Sequence, residues 1–313
     1  MSYVIGLDVG GTTIKGGIFT TTAQPLAEIR FRTYDKNNVR DEILASMSSV
    51  IHRLEEQADR LGLGRMEGVG IGVPGFVSSS EGVVYKAANL ALINVKLRQW
   101  FEERFNVPCV VQGDARTGAL GEFEFGAGKG AESLLYVVIG TGVGSGMILN
   151  GEIYEGVHAL AGEIGHTIIH PDGQLCACGK RGCLETLVSG PAIVREYRNR
   201  TESQSETVPE IITKRAEAGE QAALDVYKNV AKTLGIALAN YCTIVDPSRI
   251  VIGGGVSLAG SVLFNPLREF FRAYASPGAA KSIDIRPASL GDRSGLVGAS
   301  LLVKKSWQMA GRH

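Results

Sequence analysis

The chain has 313 residues, enough for two domains of ordinary size, each with its own core. Apolar residues make up 44% and charged residues 20%, the balance of a soluble globular protein rather than a disordered one. Lys plus Arg equals Asp plus Glu at 32 each, and zero net charge argues against non-specific binding to nucleic acid or an anionic membrane.

The first residues, MSYVIGLDVGG, run straight into a strand. No basic segment leads into an apolar one and no apolar run reaches about 18 residues, so a cytoplasmic protein is expected. Tyr3 to Asp8 reads as a short buried strand, Gly10, Gly11, Thr12 and Thr13 as a turn, and Ile14 to Phe19 as the returning strand. A glycine- and hydroxyl-rich tip exposes backbone N–H groups and makes an anion nest, with Asp8 placed to act on a metal–phosphate complex. A plain hairpin with a glycine turn accounts for the same residues. The stretch is not a Walker A loop, because the Gly-Lys-Ser/Thr ending and the following helix are missing.

An amphipathic helix is expected from Val39 to Leu63, with Ile43, Met47, Ile51, Leu54, Ala58 and Leu61 on one face. Gly68 to Val73 reads as a buried strand ending at Pro74-Gly75, and Ser78 to Gly82 as a turn. A helix marked by Leu97, Trp100, Phe101 and Phe105 follows, then a strand from Val107 to Gln112. That strand stops at Gly113-Asp114, and a helix runs from Ala115 to about Phe125. Asp114 thus falls at a strand C-terminus, where ligands bind in open α/β sheets. A general base and an N-cap carboxylate are both compatible with that position.

Leu134 to Ile139 leads into GTGVGSG, Gly140 to Gly146, and a strand from Met147 to Asn150. This repeats the opening hairpin, so an internally duplicated fold with two anion nests acting as a clamp is expected. Short helices are expected from Pro191 to Arg198 and Val208 to Ala218, and a long buried one from Glu220 to Val245. Arg249 to Ile252 is a strand followed by Gly253, Gly254 and Gly255, then a helix from Val262 to Ala275. Glycines there let a flat ring such as adenine lie against backbone, or simply make a tight turn. Ser282 to Ile285 is a last strand and Gly295 to Trp307 a closing helix.

The densest chemistry lies in GEIGHTIIHPDGQLCACGKRGCLE, Gly162 to Glu185. Cys176, Cys178 and Cys183, with Gly179 and Gly182 between them, fit neither a helix stripe nor a strand face. Converging thiolates suit Zn²⁺, and His166 is the nearest imidazole to complete a closed structural site, with His170 its competitor. Such a site would hold Glu163, His166 and Glu185 in place. A disulfide with a spare thiol, or ordinary buried cysteines, is the other reading, although Cys176 and Cys178 are too close for an easy mutual bridge. Cys109 and Cys242 sit in apolar runs and read as buried reduced thiols.

Two Gly/Thr hairpins, a strand-end Asp, the E-x-G-H segment, the C-x-C-G-x-x-G-C-x-E knuckle and the late Gly-Gly-Gly occur in one order. From Val4 to about Leu301 that order resembles the ROK family of sugar kinases and sugar-responsive repressors. The resemblance implies an α/β, two-domain actin-like, ribonuclease H-like ATPase fold with a cleft between domains. It implies a smaller domain of 1–117 plus about 297–313, and a larger one of 118–296 carrying the knuckle. The implied activity is ATP- and Mg²⁺-dependent phosphorylation of a hexose, glucose to glucose 6-phosphate in the first place, by a homodimer or homotetramer. N-acetylmannosamine, N-acetylglucosamine, fructose, allose or a glucoside are alternative acceptors. A sugar-binding repressor or a non-catalytic protein is the alternative of another class. The repressors carry a DNA-binding segment before the first hairpin, whereas only Met1 to Tyr3 precede it here.

By the same resemblance, Asp8, Gly10, Gly11, Thr12 and Thr13 form the first phosphate loop, with Lys15 adding charge. Gly140, Thr141, Gly142, Val143 and Gly144 form the second loop, and Gly253, Gly254 and Gly255 contact adenosine. Asp114 is the catalytic base. Gly75, Gly113, Glu163, His166 and Glu185 lie at the sugar, and His166, Cys176, Cys178 and Cys183 bind zinc. One departure stands out. The family's glucose kinases usually have Asn before the catalytic Asp, where this chain has Gly113 preceded by Gln112. Either a different hexose is accepted, or Gln112 or a water fills the gap.

Overall fold

The computed structural model describes residues 1–32, 40–87, 90–202 and 207–310. The chain divides into two compact units: Met1–Lys129, Glu152–Ala161 and Asp292–His313 form unit 1, and Gly130–Gly151 with Gly162–Gly291 form unit 2. The cuts at Lys129 and Asp292 lie away from the expected 117 and 297 because a whole helix stays with unit 1, packed on the C-terminal helix.

Unit 1 opens with β1 (Tyr3–Val9) and β2 (Thr13–Phe19), an antiparallel hairpin in the register Val9↔Ile14 at its tip. Next come β3 (Ala27–Arg32), α1 (Arg40–Arg60), β4 (Met66–Val73), β5 (Phe76–Ser78), β6 (Val83–Ala87), β7 (Leu92–Lys96), α2 (Leu97–Phe105), β8 (Cys109–Gly113) and α3 (Asp114–Phe125). Two later pieces return to this unit, the short β11 (Glu152–Ile153) and α10 (Ser294–Ala310). The main sheet runs β3-β2-β1-β4-β8, with β4 and β8 parallel to β1. Its central strands are apolar almost throughout, as a strand covered on both faces requires. One cover is α1, whose Ile43, Met47, Ile51, Leu54 and Ala58 are buried at helical spacing. The expected start of that helix at Val39 lies outside the described residues. β5, β6 and β7 form a separate antiparallel sheet.

The other cover is α10, which lies across β1 and β4 and against α3. Its approach is close because the strands carry glycine beneath it. A Cβ added to Gly70 would fall on the Ala299 carbonyl oxygen, a backbone atom that cannot rotate away. Gly70→Ala is therefore expected to destabilise unit 1 by about 2–3 kcal/mol through overpacking, seen as a lowered melting temperature with unchanged sequence elsewhere.

Unit 2 repeats the plan. β9 (Leu134–Ile139) and β10 (Val143–Leu149) form the second hairpin, and β12 (Arg249–Gly253) and β13 (Asp284–Pro287) extend the sheet in the order β10-β9-β12-β13. β12 is parallel to β9 as β4 is parallel to β1. Identical hairpin-then-parallel order in the two sheets accounts for the repeated Gly/Thr tip. The helices are α4 (Glu185–Val188), α5 (Gly190–Thr201), α6 (Pro209–Glu217), α7 (Gln221–Val245), α8 (Ser261–Tyr274) and α9 (Pro277–Ser282). The long α7 is the spine, with Val226, Val230, Leu234 and Leu238 buried and α5, α6 and α8 packed on it. Among the described residues no helix is long and apolar enough to cross a membrane.

Candidate active site and metal centre

In unit 1 the first hairpin closes through a Gly10 N–H donated to the Thr13 carbonyl at 2.8 Å. Asp8 and Lys15 are cross-strand neighbours in the β1–β2 register, which sets Lys15 Nζ 3.7 Å from Asp8 Oδ2. Lys15 Nζ also donates to the Asp292 carbonyl oxygen at 2.5 Å and lies 3.7 Å from Asp292 Oδ2. The Lys15 charge is thus held between two carboxylates. Burial pushes the Asp8 carboxyl up to about 6; Lys15 pulls it down, and the charges of Asp114 and Asp292 push it further up. Asp8 and Asp114 therefore feel each other within one unit.

β8 hands its last residue directly to α3. Gly113 is the N-cap residue, extended at φ −62° and ψ 138°, with no side-chain cap. Asp114 is the first residue of the helix, so it is not the N-cap that its sequence position also allowed. Its Oδ1 accepts from the Ala115 N–H at 2.7 Å. Burial raises the Asp114 carboxyl, opposed by the Ala115 and Asp114 backbone N–H groups and by Arg116.

Gln112 is 2% exposed and both ends of its amide are engaged: Oε1 accepts from the Gly113 N–H at 2.7 Å and Nε2 donates to Glu155 Oε1 at 2.9 Å. It is turned into the protein rather than into the space an Asn at 113 would use. Among the described residues that space is open, since a Cβ on Gly113 would meet only Arg116 Cδ, at 3.9 Å. Arg116, 5% exposed, donates to the Ala159 and Ala161 carbonyls at 2.7 and 3.2 Å and so ties the 152–161 segment to α3. Gly75 follows β4 at φ +99°, where a side chain would strike the Lys86 carbonyl.

In unit 2 the second tip closes through a Gly140 N–H donated to the Gly142 carbonyl at 2.9 Å. Ser145 Oγ on β10 donates to the Gly162 carbonyl and accepts from the Ile164 N–H at 3.2 Å. This pins the hairpin to the single 3₁₀ turn Ile164–His166, for which Glu163 is the N-cap residue. Glu185, first in α4, receives the Val143 N–H on Oε2 at 2.9 Å and the Cys176 thiol on Oε1 at 3.4 Å. One carboxylate thus bridges the knuckle and the second loop, and a side chain at Gly142 would have to displace it, because a Cβ would lie 2.6 Å from Glu185 Oε2.

The knuckle itself is a tight turn. The Gly179 N–H reaches the Cys176 carbonyl at 2.9 Å and the Cys176 N–H reaches the Lys180 carbonyl at 2.8 Å. The donor atoms of His166, Cys176, Cys178 and Cys183 all lie within 4.8 Å of one another, and no disulfide joins any of the thiols. Cys176 Sγ is 3.7 Å from His166 Nδ1, and Cys178 Sγ is 3.6 Å from Cys183 Sγ. A tetrahedral Zn²⁺ with Zn–S of about 2.3 Å and Zn–N of about 2.0–2.1 Å has donor–donor edges of roughly 3.6–3.8 Å. The donor set and spacing therefore fit zinc, with His166 rather than His170 as fourth ligand and Nδ1 as its facing nitrogen.

The remaining glycines divide. Gly255 lines a pocket of about 400 Å³ together with Gly140 and Thr141. Gly253 packs against Tyr136, and Gly254, at φ +83°, packs against the Ile139 backbone. The pocket also takes residues that the sequence reading missed, at the starts of α5 and α6: Pro191, Val194, Thr207 and Val208 among them. Pro191 and Pro209 do mark helix starts in the sequence. Nothing local says that two such starts meet over one cavity.

A curated relative, the glucokinase of Halalkalibacterium halodurans, is 36% identical over 97% of this chain and 95% of its own. The xylose repressor of Caldicellulosiruptor bescii is 29% identical over 96% of this chain and 77% of its own. Among solved structures, the ROK family glucokinase from Streptomyces griseus in complex with glucose and AMPPNP is 31% identical, with a TM-score of 0.80 over 97% of this chain and 99% of that one. That likeness establishes the two-domain actin-like ATPase fold class. The ROK family model matches residues 4–306, and with that span and those relatives the chain belongs to the ROK family.

Proposed function

We propose that this protein is a sugar kinase that transfers the γ-phosphoryl group of ATP to a hexose, with glucose the first candidate. The observation that carries the reading is a buried carboxyl, Asp114, raised in pKa at the junction of β8 and α3, in a chain 36% identical to a glucokinase over nearly its whole length. A raised carboxyl at a strand end is suited to accept the proton of the sugar hydroxyl as it attacks phosphorus. The tips at Gly10–Thr13 and Gly140–Gly144 offer backbone N–H groups to phosphate oxygens. Asp8 is the residue we assign to hold Mg²⁺ with the nucleotide, where the ion would neutralise phosphate charge. Glu163, His166 and Glu185 grip sugar hydroxyls in this reading, and His166 would face zinc through Nδ1 and the sugar through Nε2. Zinc would be structural, held by His166, Cys176, Cys178 and Cys183. A cytoplasmic homodimer or homotetramer is the proposed form.

The test is ATP turnover coupled to a panel of hexoses: glucose, mannose, fructose, allose, N-acetylglucosamine and N-acetylmannosamine. Stimulation by at least one is expected, and hexose binding without turnover would instead mark a sensor. The acceptor is read out by Gly113→Asn. The open space at 113 and its unstrained φ admit the side chain. If glucose is the substrate, the added amide lowers its KM by about 3- to 10-fold, the worth of one hydrogen bond to a hydroxyl. A KM that rises for glucose and for the best hexose alike would show that the space belongs to another sugar group.

A further inference from the structure

The pocket at Gly140, Thr141 and Gly255 has walls that phosphate binding does not require. Pro191, Val194, Val208, Pro209 and Val256 make its lining largely aliphatic. Pro191 and Pro209 stand in the first turns of α5 and α6, where a missing N–H goes unnoticed, so two helix starts contribute apolar rings instead of backbone donors. A flat heteroaromatic ring is the ligand such walls suit.

Besides Thr141 of the loop, two polar side chains interrupt the aliphatic lining, Thr207 and Glu210. Thr207 is 9% exposed, and its Oγ1 is buried with no hydrogen-bond partner among the described residues. Buried hydroxyls in folded proteins are nearly always paired, so an unpaired one on a pocket wall is a donor suited to a ligand atom. Glu210, three residues on in the first turn of α6, is the carboxylate on the same lining. A hydroxyl can donate, whereas a carboxylate can only accept. Adenine offers the matching edge, a ring-nitrogen acceptor beside an amino donor; guanine puts the acceptor O6 where adenine has the amino group.

We infer that Thr207 and Glu210 read the base of the phosphoryl donor, Thr207 donating to a ring nitrogen and Glu210 accepting from the amino group, and that they select adenine over guanine. The inference rests on the donor-nucleotide reading above and adds to it the residues that choose the base. Glu210 also sits where a carboxylate favours a helix N-terminus, a role that would leave nucleotide choice untouched.

The experiment is calorimetric binding of non-hydrolysable ATP and GTP analogues to the full-length protein, which needs no sugar turnover. Wild type binds the ATP analogue at least about 10-fold more tightly than the GTP analogue. Thr207→Val weakens the ATP analogue by about 5- to 10-fold, with hexose affinity unchanged and the ligand-free melting temperature not lowered because the hydroxyl removed is unpaired, and Thr207→Ser restores the affinity. Glu210→Gln narrows the ATP-to-GTP ratio by about 5-fold or more. Unchanged affinity in Thr207→Val, or equal wild-type affinity for the two analogues, overturns the base-reading assignment while leaving the kinase reading intact. Absence of binding by either analogue to wild type removes both.

Discussion

Asp114→Asn lowers kcat for hexose phosphorylation by about 10²- to 10⁴-fold, the usual contribution of a general base, and leaves hexose affinity within about threefold. The amide keeps the shape of the carboxyl and still accepts the Ala115 N–H through its oxygen, but it cannot take a proton. The pH behaviour follows from the sign of the shift. Burial raises the Asp114 carboxyl, so the folded protein binds its proton more readily than the unfolded chain does. Stability then falls as pH climbs from the unfolded carboxylate range through the folded one, because the native state must carry a buried charge. Asp114→Asn removes that burden. Its melting temperature exceeds wild type at pH 7, and the gap closes as pH drops below the ordinary carboxylate range. Wild-type activity declines on the acid side at a pH above that range, and the neighbouring Asp8, raised to about 6, adds to the same limb. Since the Asp114 charge is one of the causes raising Asp8, the Asn variant also titrates Asp8 at a lower pH. Near-wild-type turnover in the variant would remove Asp114 from the chemistry. A lower melting temperature at pH 7 would mean that its carboxylate is stabilised in the fold by groups other than those described.

How much of this was legible before the structure depended on how local each cause is. The hairpins, α1, α7, β9 and β12 lie within a few residues of their expected places, because periodicity and glycine punctuation are local signals. β3 and the small sheet of β5, β6 and β7 were not found. Each is short, and β3 is an edge strand, AEIRFR, whose alternating charges read as solvated loop. The His/Cys cluster of the knuckle was legible residue by residue, because all four members fall within 18 residues, from His166 to Cys183. Other contacts had no local trace. Gln112 is engaged by Glu155, 43 residues on, and Glu185 by Val143, 42 residues back. Thr207 and Gly255 share a pocket through the meeting of a helix start with a strand end. Such pairings exist only once the chain is folded, which is why the glycine loops were visible and their side-chain partners were not.

Cys183→Ser is the second large effect, and it acts at a distance from the residue changed. Cys183 is fully buried, and its sulfur lies 3.6 Å from that of Cys178 in a donor set spaced for a tetrahedral ion. With a hydroxyl in its place the site keeps two thiolates and one imidazole, and zinc affinity falls steeply. The loss reaches the proposed sugar groups by two routes. His166 no longer has its Nδ1 fixed, so its ring is free to turn. Glu185, two residues beyond Cys183 and first in α4, loses the fixed end of the segment that carries it. Losing even an outer partner of a metal site commonly costs about 10- to 100-fold in metal affinity or activity, and a fall in hexose affinity of at least about 10-fold is expected from losing a donor. Nucleotide affinity falls less. The second hairpin is tied to this side of the unit by Glu185 Oε2 at the Val143 N–H and by Ser145 Oγ at Gly162 and Ile164, while the tip keeps its own Gly140-to-Gly142 closure. Zinc content by mass spectrometry, hexose and ATP-analogue binding, and melting temperature together separate the outcomes. Parallel loss of both ligands with a collapsed melting transition would mean that the ion holds up unit 2 as a whole rather than aiming three side chains. Full activity in metal-free protein would mean that the knuckle is set by its backbone bonds alone, and zinc would then have no part in seating the sugar.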